Sequence, residues 1–460
     1  MRSTAMRLLL TLPLTLLLSS AAASAQNFVD IKPTPQQVAW QDMEMGAIVH
    51  FGTNTFLDRE WGDGTAPASA FHPEHVDTDQ WMNAAESAGI RYVVLVAKHH
   101  DGFALFPSEH TDYSVKASPW LGGKGDLVRM ASDSARSHGL RFGVYLSPWD
   151  RHDARYKDPA AYDRYYLSQL DELATHYGEL TEFWLDGAGS AGRSYDFVTI
   201  LNHLRTYQPN ALVFADVDLF QFADLRWVGN EDGSVNYENW NVVDRSGYLR
   251  WRPVESDTPL HREHWFWHPN DEGTLKSVDE LVQEYNVTVG RGAQFMLGLA
   301  PDNTGRLPAA DVARLKEFGE RIRAIYSNNL ALHRQRAVGD AAAAFDGDPD
   351  TWWQAPQPQA TEQGSNHDPA VLTIAFAQPT TFDRTVVMER LNDGQHVTKY
   401  AVDVEEHGEW REVARAQAIG HKKIDIFPLV TATVVRLRLL ESSGPAQIRE
   451  FQVYNGAGTH

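Results

Sequence analysis

Between about residue 40 and residue 325, short apolar runs alternate with amphipathic stretches, and this alternation constrains the fold more than any other feature. The strand candidates are residues 46–52, 92–98, 142–149, 182–187, 212–216, 226–231, 264–268 and 294–300. Each is short, rich in β-branched or aromatic residues, and closed by polar, Gly or Pro residues. Helical patterns fall between several of them, at 78–88, 126–138, 162–177, 196–207 and 278–289, with a long last one at 310–326. Asp126 is an N-cap candidate for its helix, and Gly139 a stop. Repeated strand–helix alternation predicts a parallel sheet closed into an α/β barrel of the (β/α)8, TIM-like type.

The pattern changes after Asn329. Leu372, Ile374 and Phe376 alternate with Val371, Thr373 and Ala375; Tyr400, Val402 and Val404 with Ala401, Asp403 and Glu405; Val435, Leu437 and Leu439 with Arg436 and Arg438. A period of two with no helix between predicts an all-β sandwich domain of half-buried antiparallel strands. The expected division is a barrel over 26–328 and a sandwich over 329–460.

Residues 1–25 stand apart. Arg2 and Arg7 precede a Leu-rich run and then Ala23-Ser24-Ala25, as in a secretory signal peptide cleaved before Gln26. The run falls short of the roughly 20 residues a membrane span requires. The chain has no cysteine, which excludes disulfides, thiolate metal sites and a Cys nucleophile. Secretion, to the periplasm or outside a bacterial cell, is therefore expected. The net charge of −20 becomes more negative once Arg2 and Arg7 are removed, and no basic patch offers itself to nucleic acid.

In such barrels the working residues sit at the C-terminal ends of strands. Those ends here carry His50, with Glu60 and Trp61 in the following loop; Lys98, His99 and His100; Tyr145, Ser147 and Trp149; Trp184 and Asp186; and Glu231. One Asp before Gly is often only a turn, but five strand ends bearing His, Glu, Trp or Asp are harder to explain that way. Adjacent His99 and His100 on a regular strand would point to opposite faces, so they argue against a shared metal ion. At a frayed strand end both could reach hydroxyls of one sugar. Asp186 and Glu231 suit glycoside hydrolysis, one attacking the anomeric carbon and the other protonating the leaving oxygen. Retention needs them roughly 5–5.5 Å apart.

The segments Gly46-Ala-Ile-Val-His50-Phe-Gly-Thr-Asn-Thr-Phe56, Arg59-Glu-Trp-Gly62, Lys98-His-His-Asp-Gly-Phe103, Tyr145-Leu-Ser-Pro-Trp149, Phe183-Trp-Leu-Asp-Gly187 and Trp227-Val-Gly-Asn-Glu231 resemble the α-L-fucosidases of glycoside hydrolase family 29. The resemblance implies a retaining exo-fucosidase without cofactor, with Asp186 as nucleophile and Glu231 as acid/base. It implies that His50, Glu60, Trp61, His99, His100, Tyr145 and Trp184 line the fucose pocket, joined by Trp265 or Trp267. Glu231 should hold its proton through burial and its neighbouring carboxylate. Phe51 and Trp184 are candidates for an apolar wall against the sugar's methyl group.

Phe51 after the first histidine and the Gly229-Asn-Glu-Asp-Gly233 segment look more like the branch selective for α-1,3 and α-1,4 links to N-acetylglucosamine in Lewis-type glycans. A broad-specificity fucosidase, another glycosidase, a metal hydrolase and a non-catalytic glycan-binding protein are the alternatives; the presence of both carboxylates counts against the last. The C-terminal segments Ala344-Phe-Asp-Gly-Asp-Pro-Asp-Thr-Trp352 and Ala446-Gln-Ile-Arg-Glu-Phe-Gln-Val-Tyr454 resemble discoidin-like, galactose-binding-type sandwiches. That resemblance implies either a bracing module or a sugar-binding one, with a structural Ca²⁺ near the Asp-Gly-Asp loop.

Overall fold

The computed structural model describes residues 31–190, 192–215, 223–244, 249–332, 340–356 and 369–457. The expected signal peptide lies outside them. Eight parallel strands close a barrel: β1 (Met45–Val49), β2 (Tyr92–Lys98), β3 (Arg141–Leu146), β4 (Glu182–Leu185), β5 (Leu212–Ala215), β6 (Leu225–Trp227), β7 (Val254–Pro259) and β8 (Gln294–Leu299), with β8 pairing back onto β1. Residues alternate between two layers. Tyr92, Val94 and Val96 join Ile48, Tyr145, Trp184, Phe214 and Met296 in one buried cluster, the barrel interior. Val93, Leu95 and Ala97 pack in a separate cluster with the surrounding helices.

The helices are α1 (Pro35–Gln41), α2 (Thr53–Leu57), α3 (Thr78–Ala88), α4 (Leu127–Ser137), α5 (Pro159–His176), α6 (Phe197–Tyr207), α7 (Val278–Thr288) and α8 (Ala309–Tyr326). Their starts are written in the sequence. Asp126 caps α4 by accepting from the Arg129 N–H, and Ser277 and Glu280 form a capping box on α7. Trp40, on α1, enters the barrel from below and donates to Glu182.

One expected strand is misplaced. Residues 264–268 form no strand; the seventh strand is β7, ten residues earlier. Its sequence, Val-Glu-Ser-Asp-Thr-Pro, has only one apolar side chain before the proline, yet all six residues are buried. The charge is absorbed within the barrel. Glu255 accepts from Trp184 and Tyr92, and Asp257 accepts from Trp227.

The sandwich strands are β9 (Trp353–Gln354), β10 (Ala370–Glu389), β11 (Val397–Glu406), β12 (Glu409–Ala416), β13 (Lys423–Ser442) and β14 (Gln447–Tyr454), all pairings antiparallel, in the order β9-β14-β10-β13-β11-β12. Leu372, Ile374, Tyr400, Val402, Val404, Val435 and Leu437 are buried in its core. Asp403 is buried too, on the face expected to be polar, where Arg436 and Arg438 neutralise it. The sandwich docks on the N-terminal rim of the barrel. Arg449 pairs with Asp42, Lys422 pairs with Glu44, and Glu238 accepts the backbone N–H groups of Gln417 and Ala418. The pocket described next opens at the opposite end of the barrel.

Candidate active site

A cavity of about 270 Å³ at the C-terminal end of the barrel gathers residues from seven strands or the loops after them. Its lining includes His50, Glu60, Trp61, His99, His100, Tyr145, Trp184, Asp186, Glu231 and Trp265, with Ile48, Phe214, Trp227 and Asp257. A larger cavity of about 450 Å³ between the barrel and the sandwich has no carboxylate in its wall.

Backbone irregularity makes the histidine arrangement possible. The β2–β3 register slips between Val96 and Lys98, so His99 and His100 leave the regular strand. Both rings line the pocket, with centroids 4.1 Å apart. Lys98 lies on the helix side, bonded to Asp150, Gln169 and Tyr162. Gly102 has φ +84°, and a Cβ there would stand 2.6 Å from the Asp150 carboxylate, so this motif requires glycine. Gly298 on β8 leaves room for Trp265, whose ring a Cβ would approach to 2.7 Å.

Burial keeps the histidines neutral. His50 is lowered to about 3 by burial, with His100 adding to the shift, and His99 is pushed well down by the same burial and by its two histidine neighbours. Burial also lowers His100, opposed by Asp186. Ser147 donates to the Trp149 carbonyl, so it accepts from His100 Nδ1 at 2.7 Å. A neutral His100 then leaves Nε2 without a proton, 3.6 Å from Asp186. Neutral rings of this kind suit the hydroxyls of an uncharged ligand.

The two carboxylates are held differently. Asp186 accepts from the Tyr145 hydroxyl at 2.9 Å and from the Ala188 N–H at 2.8 Å. Tyr145 stacks on Trp184, which stacks in turn on Phe214 at 4.0 Å. Glu231 sits in the loop beyond β6, open to solvent at the mouth, and accepts from the Trp265 indole at 3.2 Å. Partial burial raises its pKa; the Trp265 bond opposes the rise, and Asp186 and Glu60 add to it. Glu60 accepts from the backbone N–H groups of Trp265 and Phe266 and bonds His268 at 2.6 Å. It thereby ties the β1 loop to the segment that carries Trp265.

The α-L-fucosidase family profile matches residues 18–324. The chain belongs to the α-L-fucosidase family. The F5/8 type C domain profile matches residues 325–451. Alpha-L-fucosidase 1 of Arabidopsis thaliana is 35% identical to the chain, over 85% of this chain and 81% of that protein. The structure of a glycoside hydrolase 29 family member from an unknown rumen bacterium is similar with TM-score 0.81 at 33% identity, covering 94% of this chain and 78% of that one. The Ruminococcus gnavus GH29 fucosidase in complex with fucose gives TM-score 0.83 at 26% identity, covering 94% and 96% of the two chains. The protein is thus a glycoside hydrolase, an α-L-fucosidase.

Within this fucosidase barrel, two expectations need correction or choice. Phe51 is turned away from the pocket, packed among Phe56, Phe71 and Trp81. Its neighbour His50 faces inward, and adjacent strand residues alternate sides. The apolar wall comes instead from Ile48, Trp184, Phe214 and Trp227. Of the two tryptophans after β7, Trp265 lines the pocket and Trp267 does not. Asp257 is a pocket residue that the sequence reading passed over, since its strand was not recognised. Burial raises its pKa well above the usual carboxylate range, and Glu231 adds to the rise. Among the described residues, no group of three or more His, Asp or Glu side chains is arranged to hold a metal ion, and no helix is long and apolar enough to cross a membrane.

Proposed function

We propose that the chain is a retaining exo-α-L-fucosidase in which Asp186 is the nucleophile and Glu231 the acid/base. The observation that carries this reading is the unequal treatment of two carboxylates in one pocket. Asp186 is fixed by two donors, and Glu231 is raised in pKa where a leaving group would exit. Asp186 attacks the anomeric carbon as the glycosidic C–O bond breaks, and Glu231 gives its proton to the departing oxygen. A water then loses a proton to Glu231 and displaces Asp186, so the sugar leaves with its configuration retained. Trp265 and Trp61 line the same cavity as the two carboxylates and are read as contacts of the fucose ring. The pocket needs no cofactor for this chemistry.

The preferred linkage in this reading is α-1,3 or α-1,4 to N-acetylglucosamine in Lewis-type glycans, on the strength of the Phe51 and Gly229–Gly233 resemblance. Fucose release from defined α-1,2, α-1,3, α-1,4 and α-1,6 oligosaccharides tests it. A Lewis-type trisaccharide should exceed a small aryl fucoside in kcat/KM, since only the former has a second sugar to bind. Preference for the aryl fucoside, or equal cleavage of all four links, would leave a broad-specificity enzyme.

We also propose secretion, on the basis of residues 1–25, and a structural Ca²⁺ in the sandwich. The second reading is supported by Asp346 and Glu450. Burial, with the Asp346 carboxylate adding to it, holds Glu450 up at about 7 against the opposing hydrogen bond from Gln452. A cation between these two carboxylates would offset their repulsion. If so, chelation lowers Tm without a direct effect on turnover; an unchanged Tm in EDTA would remove the ion from the account.

A further inference from the structure

Glu255 lies beneath the pocket, fully buried and absent from the pocket wall. Its Oε1 accepts the Trp184 indole N–H at 2.7 Å, and its Oε2 accepts the Tyr92 hydroxyl at 2.7 Å. The plane of Trp184 is set by its stack between Phe214, at 4.0 Å and 12°, and Tyr145, at 5.4 Å and 20°. Stacking leaves a ring free to slide or turn within its own plane. A hydrogen bond to the ring edge removes that freedom, and Glu255 supplies it. Tyr145, lying on the other face of the indole, donates to Asp186.

We infer that Glu255 is a positioning residue for the nucleophile: it keys the Trp184 indole, the indole seats Tyr145, and Tyr145 holds the Asp186 carboxylate in line with the anomeric carbon. The inference rests on Asp186 being the nucleophile. Strand β7 is the natural source of such a key. The strand lies between β6 and β8, and Glu255 on it spans the barrel floor to reach β2 and β4. An apolar residue at this position would leave both the indole N–H and the Tyr92 hydroxyl buried without an acceptor.

A double-mutant cycle on kcat/KM tests the chain of contacts. Trp184→Phe keeps an aromatic ring in the stack and removes the N–H that Glu255 accepts. Glu255→Met keeps the length of the side chain and removes both carboxylate oxygens. Each single variant should lose about 10–100-fold in kcat/KM, the scale of a small misplacement of reacting groups. The double variant should be no more than about twofold worse than the less active single, because both break one link. For Glu255→Met the loss should fall on kcat, with the inhibition constant of free fucose little changed, and Glu255→Gln, whose amide oxygen can still accept the indole N–H, should recover most of it. Losses that multiply in the double variant, or a Glu255→Met loss confined to fucose affinity, would overturn the inference. If Glu255→Met fails to fold, the cycle of Trp184→Phe with Tyr145→Phe carries the same prediction for the upper link, and multiplicative losses there overturn it. Azide rescue of Asp186→Ala tests the nucleophile separately, so failure of that reading is distinguishable from failure of this one.

Discussion

The barrel carries two pairs of carboxylates, one above the other, and their contrast explains how one fold separates support from chemistry. The lower pair, Glu182 and Glu255, is sealed from solvent. Burial first, and Glu255 second, push Glu182 far above the ordinary range, and burial holds Glu255 up at about 7. Their donors are the side chains of Trp40, Trp184 and Tyr92, groups of the barrel core. The upper pair, Asp186 and Glu231, is open to the pocket and meets donors that line it. The residue type is nearly the same in both. What differs is access, and access decides whether a carboxylate can attack or transfer a proton to something that arrives from outside.

The largest effect should come from the upper pair. Asp186→Ala should lower kcat/KM by several orders of magnitude through loss of the covalent route. Azide should restore part of it and give the inverted β-fucosyl azide. Near-normal turnover in a verified variant would end the assignment.

Glu231→Gln comes next, and its effect depends on the leaving group. Natural oligosaccharides need a proton on the departing oxygen and should lose about 10²–10⁴-fold. The first step on an activated aryl fucoside should lose far less. If Glu231 is the acid, the same raised pKa should place the basic limb of the kcat/KM profile above the ordinary Glu range, because the acid works only while protonated. Glu60→Gln removes one of the charges that raise it, so the limb should move to lower pH. A limb that stays in place under this substitution would remove Glu60 from the electrostatics of the acid.

The lower pair should show itself in stability. An acid whose pKa is raised on folding binds its proton more tightly in the native state. Stability therefore falls as pH rises from the unfolded value, near 4.5, through the folded one. Glu182→Gln removes this liability, so it should raise Tm more at pH 8 than at pH 5. An equal change at both pH values would mean that the pair is not protonated in the way described.

The smallest effect concerns the sandwich. Glu238→Ala removes the acceptor of the Gln417 and Ala418 N–H groups at the docking rim and should cost about 1–2 kcal/mol of stability. Because that rim lies at the far end of the barrel, kcat/KM at a temperature where the variant is folded should be unchanged. A clear loss of kcat/KM there would couple the two domains in a way the contacts do not support.

How far the sequence could be read follows from the same division. Strands that carry apolar residues on both faces, such as β2 with Tyr-Val-Val-Leu-Val-Ala, announce themselves, and the polar residues after them mark the pocket. Strand β7 does not, because its inward face carries Glu255 and Asp257, which look like loop residues until their indole partners are in place. That one misreading hid Asp257 and put the following Trp265 on a strand when it belongs to a loop. Phe51 misled for a different reason. A motif shows which residues travel together, but alternation along the strand sends His50 to the pocket side and its neighbour to the core.

The central claim is that the open pair does the chemistry and that Asp186 forms the covalent bond. Treatment with a 2-deoxy-2-fluoro fucosyl fluoride, followed by digestion and peptide mass analysis, tests it most directly. The second step slows with this reagent, so the fluorosugar should accumulate in ester linkage on the peptide containing Asp186, with activity lost in proportion. A label on Glu231, Glu60 or Asp257, or inactivation with no label at all, would contradict the account.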